Sequence, residues 1–407
     1  MNGDQTQIDP AQLKGLSVLL AGFGTIDIHR SIQASMVEFG CEVLWTVKNP
    51  NDKHLHQRID IVFHLDILSL GVKYINRLRK NLDAHNRDAI IINIPLSHPI
   101  ISINSLGLKS VTAINAFFRD RRIIMWSMCL TSLKEFEQYG LWGGVFEPLG
   151  INDYYLLTKD RRQLRETWIN QKTTFQKVSY DYAYDPAIDN KETLVKDKIV
   201  YAGVPNSSWE TLLPPNVLSK TKFLEDTFFP NSKEIFLQEL NVKIEPDNME
   251  GFLHFHHLWS LHIPLQRRRN MVRLVTENFA NHVSIWGNGW EKFITRCHST
   301  SVVPRYFYQK ALCCLDFGST QFDTPLFPRT CEIIKMDGLL ISGKSDDRVE
   351  LIEENQFQTG EQMLTIIDDA FDKKKRRIKM DKQKTLRRTH NFAKTILNVL
   401  GKIYKII

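Results

Sequence analysis

Arg329 and Glu332 stand three positions apart just after Pro328, in PRTCEIIK. Proline is favoured in the first turn of a helix, and a spacing of three puts both side chains on one helix face. A guanidinium there can clamp a diphosphate, and a carboxylate one turn on can accept the two hydroxyls of a ribose. The same spacing also suits a plain intrahelical ion pair. A second candidate is Gly287-Asn288-Gly289 with Trp290 directly after it, in SIWGNGWEKF. Such a turn exposes backbone N–H groups and brings an aromatic plane beside a nucleotide, or it simply turns tightly with Trp290 in the core. Near the start, Gly22-Phe23-Gly24-Thr25 separates an apolar run from a helix, so the backbone can approach a ligand and the helix N-terminus can attract negative charge. Asp27 replaces the last glycine of a complete GxGxxG pattern. Asp27 and His29 are the candidate general bases for an acceptor hydroxyl.

Other groupings carry less. His254, His256, His257 and His262 crowd into LHFHHLWSLH, but no carboxylate or cysteine shares a ligand spacing with them, so no metal site is expected. Phe252, Phe255 and Trp259 in the same stretch read as a satellite core. The six cysteines show neither zinc spacing nor a disulfide framework and read as buried free thiols.

The elements that must position these residues alternate. Strands are expected over Leu16 to Gly24, Cys41 to Thr46, Ile59 to Leu65, Ala89 to Ile94, Ile123 to Met128 and Gly143 to Glu147, with helices over His29 to Phe39, Lys73 to Asp83 and Thr131 to Tyr139. A second start falls at KIVYAG, Lys198 to Gly203. Strands then follow over His282 to Trp286, Ala311 to Phe317 and Gly338 to Ser342, with helices over Leu265 to Phe279, near Tyr306, over Glu361 to Phe371 and over about Lys379 to Leu400. This order implies two α/β domains with mostly parallel sheets covered on both faces. The expected division is an N-terminal Rossmann-like acceptor domain over 1–195, a C-terminal Rossmann-like nucleotide-binding domain over 196–385, and a basic amphipathic helix over 386–407. The Pro-, Asn- and aromatic-rich stretch at about 205–264 reads as an insertion into the second domain. Two such domains facing each other offer a central cleft at the carboxyl ends of their strands.

Composition sets outer bounds. With 407 residues, 43% hydrophobic and 24% charged, the chain suits two folded domains rather than one core or a disordered tail. No apolar run is long enough to span a bilayer, and the polar start MNGDQTQIDP has no signal-peptide character, so a cytoplasmic location is expected. The net charge of +7 is concentrated at one end: Lys373 to Ile407 holds 13 Lys or Arg and one acid, Asp381. That end can contact an anionic membrane surface or nucleic acid, or can be a solvated helix face.

The run from about Val283 to Lys344 resembles the spore-maturation-type, CgeB-like glycosyltransferases, relatives of the group 1 glycosyltransferases with the GT-B fold. The W-G-x-G-W-like turn is matched by Trp286 to Trp290. The R-x-x-E segment is matched by Arg329, Glu332, Ile333, Ile334, Gly338, Leu339 and Leu340, and the His near the start of the last helix by His390. Asp337 stands where the first of two glycines is usual, and Thr324 where many group 1 enzymes have an earlier Glu. The resemblance implies a GT-B-like α/β fold and a nucleotide-sugar held mainly by the C-terminal half. Glu332 would lie on the ribose, and Arg329 with the turn Gly287, Asn288 and Gly289 near the diphosphate; Trp290 and Gly338 complete the expected donor-binding residues. It implies no metal and no cofactor beyond the nucleotide-sugar, which is the substrate; the acceptor is open. A non-catalytic GT-B-fold binding protein is the competing reading, motivated by Thr324 and Asp337. A DNA-modifying glucosyltransferase is a third, motivated by the basic end.

Overall fold

The computed structural model describes residues 8–22, 26–45, 55–95, 103, 105–138, 140–141, 144–147, 192–205, 215–228, 232–241, 249–295, 297–298, 305–318, 328–344, 353–389 and 391–406. The chain divides into two compact units. The first comprises Met1–Tyr180, Ile244–Leu253 and His390–Ile407, the second Asp181–Lys243 and His254–Thr389.

In the first unit six strands form one sheet: β1 (Ser17–Gly22), β2 (Glu42–Trp45), β3 (Ile61–Leu65), β4 (Ile90–Ile94), β5 (Ile123–Ser127) and β6 (Val145–Phe146), in the order β2-β1-β3-β4-β5-β6. Every pairing is parallel, with Val18 opposite Ile61 and Ile61 opposite Ile90. Each residue of β1, β3, β4 and β5 is buried, as expected of parallel strands covered on both faces, and this is why they read as unbroken apolar runs. The helices between them are α1 (Ile26–Glu38), α2 (Gly71–His85), α3 (Val111–Asp120) and α4 (Leu130–Gln138). The sequence reading missed α3, although Ser110 caps it through the Ala113 N–H.

The second unit repeats the plan with β7 (Ile199–Ala202), β8 (Val283–Trp286), β9 (Cys313–Asp316), β10 (Leu340–Gly343) and β11 (Gln356–Phe357), in the order β11-β10-β9-β7-β8, again all parallel. A short helix, α5 (Glu192–Val195), precedes β7. The stretch expected as an insertion of uncertain structure is helical in α6 (Pro215–Thr221), α7 (Ser232–Leu240) and the first half of the 31-residue α8 (Met249–Phe279), whose second half is the helix expected over Leu265 to Phe279 and which leads into β8. Pro264 lies inside α8. It is thus the crossover between the first two strands of the sheet. After β9 come α9 (Pro328–Lys335) and α10 (Gly360–Phe371).

The single terminal helix expected over Lys379 to Leu400 is two: α11 (Lys373–Thr389) and α12 (Phe392–Ile406). Asn391 Oδ1 accepts the Ala393 N–H at 2.8 Å and starts the second helix. The separate basic helix expected over 386–407 takes a different form, because α12 is built into the first unit. Phe392, Ile396, Val399, Leu400 and Ile403 are buried along one side, and Lys402 Nζ bonds Glu147 Oε2 and the Phe146 carbonyl, both at 2.6 Å. Asn398 Nδ2 donates to Glu147 Oε1 at 2.7 Å. The basic residues cluster instead on α11, where Lys373, Lys374, Lys375, Arg377, Lys382 and Lys384 are exposed. Among the described residues, no helix is long and apolar enough to cross a membrane.

Candidate functional site

Both sheets follow one rule: the first strand has the second on one side and the third on the other, so the connections leave β1/β3 and β7/β9 in opposite directions. Such a switch point opens a crevice at the carboxyl ends of the strands. The candidate residues fall at these two places.

At β7/β9, three strand ends and one helix start meet. Gly203 follows β7, and its N–H bonds the Trp286 carbonyl of β8 at 2.9 Å. Gly287 follows β8 with φ +133°, and a Cβ there would sit 2.0 Å from the Gly203 carbonyl oxygen. Only glycine allows this approach. Gly289 is also left-handed, with φ +95°. The amides of this turn are partly engaged by the protein: Gly287 N–H donates to the His298 carbonyl at 3.2 Å and Gly289 N–H to Glu291 Oε2 at 3.0 Å. Asn288 is exposed. Trp290 is fully buried, its Nε1 donating to the Gly203 carbonyl at 2.7 Å and its ring standing edge-on to Tyr201. It therefore belongs to the core, and its contribution is to hold Gly203 rather than to offer a stacking plane.

Asp316 ends β9 and is buried. Its Oδ1 accepts the Gly318 N–H at 3.1 Å and its Oδ2 the Thr330 hydroxyl at 2.5 Å, tying the loop after β9 to the first turn of α9. Arg329 is the next residue in that turn. Its side chain is a quarter exposed, with Nη1 at 4.0 Å from Asp316 Oδ1 and the guanidinium over the face of Tyr201. Glu332, half-buried, follows on α9. Near Arg329 is Arg268 of α8, buried, its Nη1 on the Val204 carbonyl at 2.7 Å and its Nη2 on the Gly318 carbonyl at 3.1 Å. Arg268 thus bridges the loops leaving β7 and β9. Arg269 beside it donates to the Pro205 carbonyl at 3.0 Å. The Arg268 guanidinium is pulled below its ordinary pKa by burial, with Arg329 and Arg269 adding like-charge repulsion. Three guanidiniums against the carboxylates of Asp316 and Glu332 leave a positive balance, which suits an anion.

Gly338 plays a different part from the one the resemblance implied. It is buried behind α9, where a Cβ would meet Tyr308 Cβ at 2.9 Å, and its N–H closes the helix end on the Ile333 carbonyl at 2.9 Å. Asp337 just before it adopts φ +53°, the left-handed conformation in which a glycine is usual. Thr324 and His390 lie outside the described residues.

At β1/β3, Gly22 ends β1 with φ +101°, and a Cβ would fall 2.4 Å from the Leu65 carbonyl oxygen of β3. Phe23, Gly24 and Thr25 lie outside the described residues; Asp27 is in the first turn of α1. His29, a candidate base, is buried at 4% exposure with Nε2 3.1 Å from the Ala21 carbonyl. A carbonyl only accepts, so Nε2 carries the proton. Burial pushes the imidazole down to about 4. On β3, His64 is completely buried, donates from Nδ1 to the Leu65 carbonyl at 3.0 Å and accepts from the Tyr74 hydroxyl at 3.0 Å; burial holds it at about 3. His29 thus sits in the core, with its proton held by backbone.

Of the four clustered histidines, His256 is buried against Phe255, and His262 bonds Glu225, which Lys222 also pairs. Among the described residues no three His, Cys, Asp or Glu converge as metal ligands. All six cysteines are free and five are buried. Sequence reasoning missed Tyr201, Arg268 and Asp316. The available signals were an acid closing an apolar strand at Asp316 and three successive arginines at 267–269, which cannot all point away from a packed helix.

No family model matches the sequence, and no curated protein is similar to it. Solved structures of similar architecture include HepE of Anabaena in complex with UDP-glucose, with TM-score 0.47 and 9% identity over 96% of this chain and 99% of that one. Another is the α,α-trehalose 6-phosphate synthase of Burkholderia multivorans, with TM-score 0.48 and 7% identity over 97% and 100% of the two chains. A third is an α-glucosyltransferase in complex with UDP-glucose and DNA containing an abasic site, with TM-score 0.45 and 9% identity over 96% and 99%.

Proposed function

We propose that the protein is a glycosyltransferase that takes a sugar from a nucleotide-diphosphate donor bound at the β7/β9 crevice of the second unit. One observation carries the reading: Arg329 opens a helix at a switch point, underlain by Arg268, with Glu332 on the same short helix. Cations and a helix start match a diphosphate, and a carboxylate one turn on matches ribose hydroxyls. The CgeB-like resemblance supports the same placement, since it rests on Arg329, Glu332 and the Gly287 to Gly289 turn.

In the reaction, the acceptor hydroxyl attacks the anomeric carbon as the sugar's bond to the diphosphate breaks. The guanidinium stabilises the charge left on the departing phosphate, the largest protein contribution to such a step. A reaction that inverts the anomeric centre needs a base, for which Asp27 is the remaining candidate once His29 is placed in the core. A nucleotide-sugar hydrolysis assay with UDP, GDP, dTDP, ADP and CMP sugars tests the reading. Wild-type protein is expected to release nucleotide slowly even without acceptor. Arg329→Ala should lower turnover by roughly 10² to 10³ while leaving the far-UV circular dichroism unchanged. Wild-type turnover in that variant would remove Arg329 from the site.

A further inference from the structure

Tyr201 is buried on β7 between Trp290 and Phe317, and its ring fits the core as a phenylalanine would. Its hydroxyl is the unusual part. It is buried with no acceptor for its proton, and its charged neighbours include the guanidiniums of Arg268 and Arg329, the latter placed to donate to the phenol oxygen. Both are donors only, so neither can accept the phenolic proton. Asp316, the nearby carboxylate, already accepts from Gly318 and Thr330 through its two oxygens. Arg268 repeats the pattern: its Nη atoms hold two carbonyls, yet its buried Nε–H has no partner. Donors thus outnumber acceptors here. Burial also keeps the phenol protonated, because it raises its pKa.

The hydroxyl is covered by backbone and not by a bulky side chain. Gly203 directly overlies it: a Cβ on Gly203 would come within 2.6 Å of the Tyr201 oxygen and 3.2 Å of Arg329 Nη1. The phenol and the guanidinium therefore both pack against one glycine, at the carboxyl edge of the sheet. A group that only accepts hydrogen bonds and carries negative charge answers both, and a phosphate oxygen is such a group.

We infer that Tyr201 is a ligand-contact residue, donating its hydroxyl proton to a phosphate oxygen of the donor over Gly203. Arg268 acts beneath as a positioning residue that fixes the Val204 and Gly318 loops on either side. This rests on the donor-site reading above and adds to it a hydroxyl that is costly to bury in the free protein and is repaid by binding.

The test uses the full chain and inorganic pyrophosphate as probe, with UDP as a second arm, binding being followed by isothermal calorimetry and thermal shift. Tyr201→Phe keeps the ring and removes only the hydroxyl. Its ligand-free melting temperature is expected to match or exceed wild type, whereas its affinity for pyrophosphate and for UDP should fall about 10-fold or more. A lower ligand-free melting temperature would show that the hydroxyl has a protein partner and would overturn the inference, as would unchanged affinity. Arg268→Lys cannot span both carbonyls, and should weaken pyrophosphate binding and raise KM more than it lowers kcat; unchanged binding would remove its positioning role. If wild-type protein binds neither probe, the donor-site reading itself fails, an outcome distinct from equal binding by wild type and Tyr201→Phe.

Discussion

Acidification should destabilise the first unit through its two buried imidazoles. His29 is held at about 4 and His64 at about 3 by burial, against 6.5 for exposed histidine. Both folded values lie below the unfolded one, so between them the unfolded chain binds protons that the folded chain refuses. The stability from keeping the rings neutral is fully present above about pH 6.5 and is lost as pH falls from there toward the folded values. At pH 5 each imidazole accounts for a loss of about 2 kcal/mol relative to pH 8, roughly 4 kcal/mol for the pair. That is a large share of the 5–15 kcal/mol typical of a folded domain. The assay is urea unfolding followed by circular dichroism at pH 8 and pH 5, on wild type and on His29→Gln, whose amide can still donate to the Ala21 carbonyl. The variant should lose about 2 kcal/mol less on acidification than wild type. Identical pH dependence in the two proteins would refute the assignment of His29 as a neutral core residue.

Asp337→Gly should raise stability by about 0.5 to 1 kcal/mol, because Asp337 holds φ +53° at the end of α9, where glycine carries no Cβ penalty. A destabilised variant in the same urea assay would show that the carboxylate matters more than the backbone there. Lys402→Met should destabilise the first unit by about 1 kcal/mol and expose the junction of α11 and α12 to limited proteolysis, since Lys402 holds Glu147 and the Phe146 carbonyl. An unchanged proteolysis rate would mean that the apolar side of α12 suffices to dock it.

The strands were legible because buried parallel strands are continuous apolar runs, so β1, β3, β4, β5, β7 and β9 fall within the expected segments. β11 has two residues and no such run. The second half of α8 was legible as the helix expected over Leu265 to Phe279, but its first half was hidden: α8 buries Phe255, Trp259 and Ile263 there and Arg267 and Arg268 further on, so no single apolar stripe runs its length. The site divides the same way. Arg329 and Glu332 lie close together in sequence, and their spacing announces them. Tyr201, Arg268 and Asp316 come from three distant segments, and each looks locally like ordinary core or helix surface. Only the topology that puts β7 beside β9 joins them.

The Trp286 to Trp290 pattern acts at one remove from the ligand it suggested. Gly287 is glycine because its Cα lies against the Gly203 carbonyl, and Trp290 is tryptophan because its indole N–H bonds that same oxygen. Trp290 also packs edge-on against Tyr201, whose hydroxyl lies under Gly203. All three contacts therefore fix one peptide, the one following β7, and fix it where the phenol of Tyr201 and the guanidinium of Arg329 converge. A pattern of two glycines and two tryptophans need not touch a nucleotide to be required for binding one. In the proposed donor site it would set the backbone that faces the phosphate, with the charge supplied by arginines from α8 and α9.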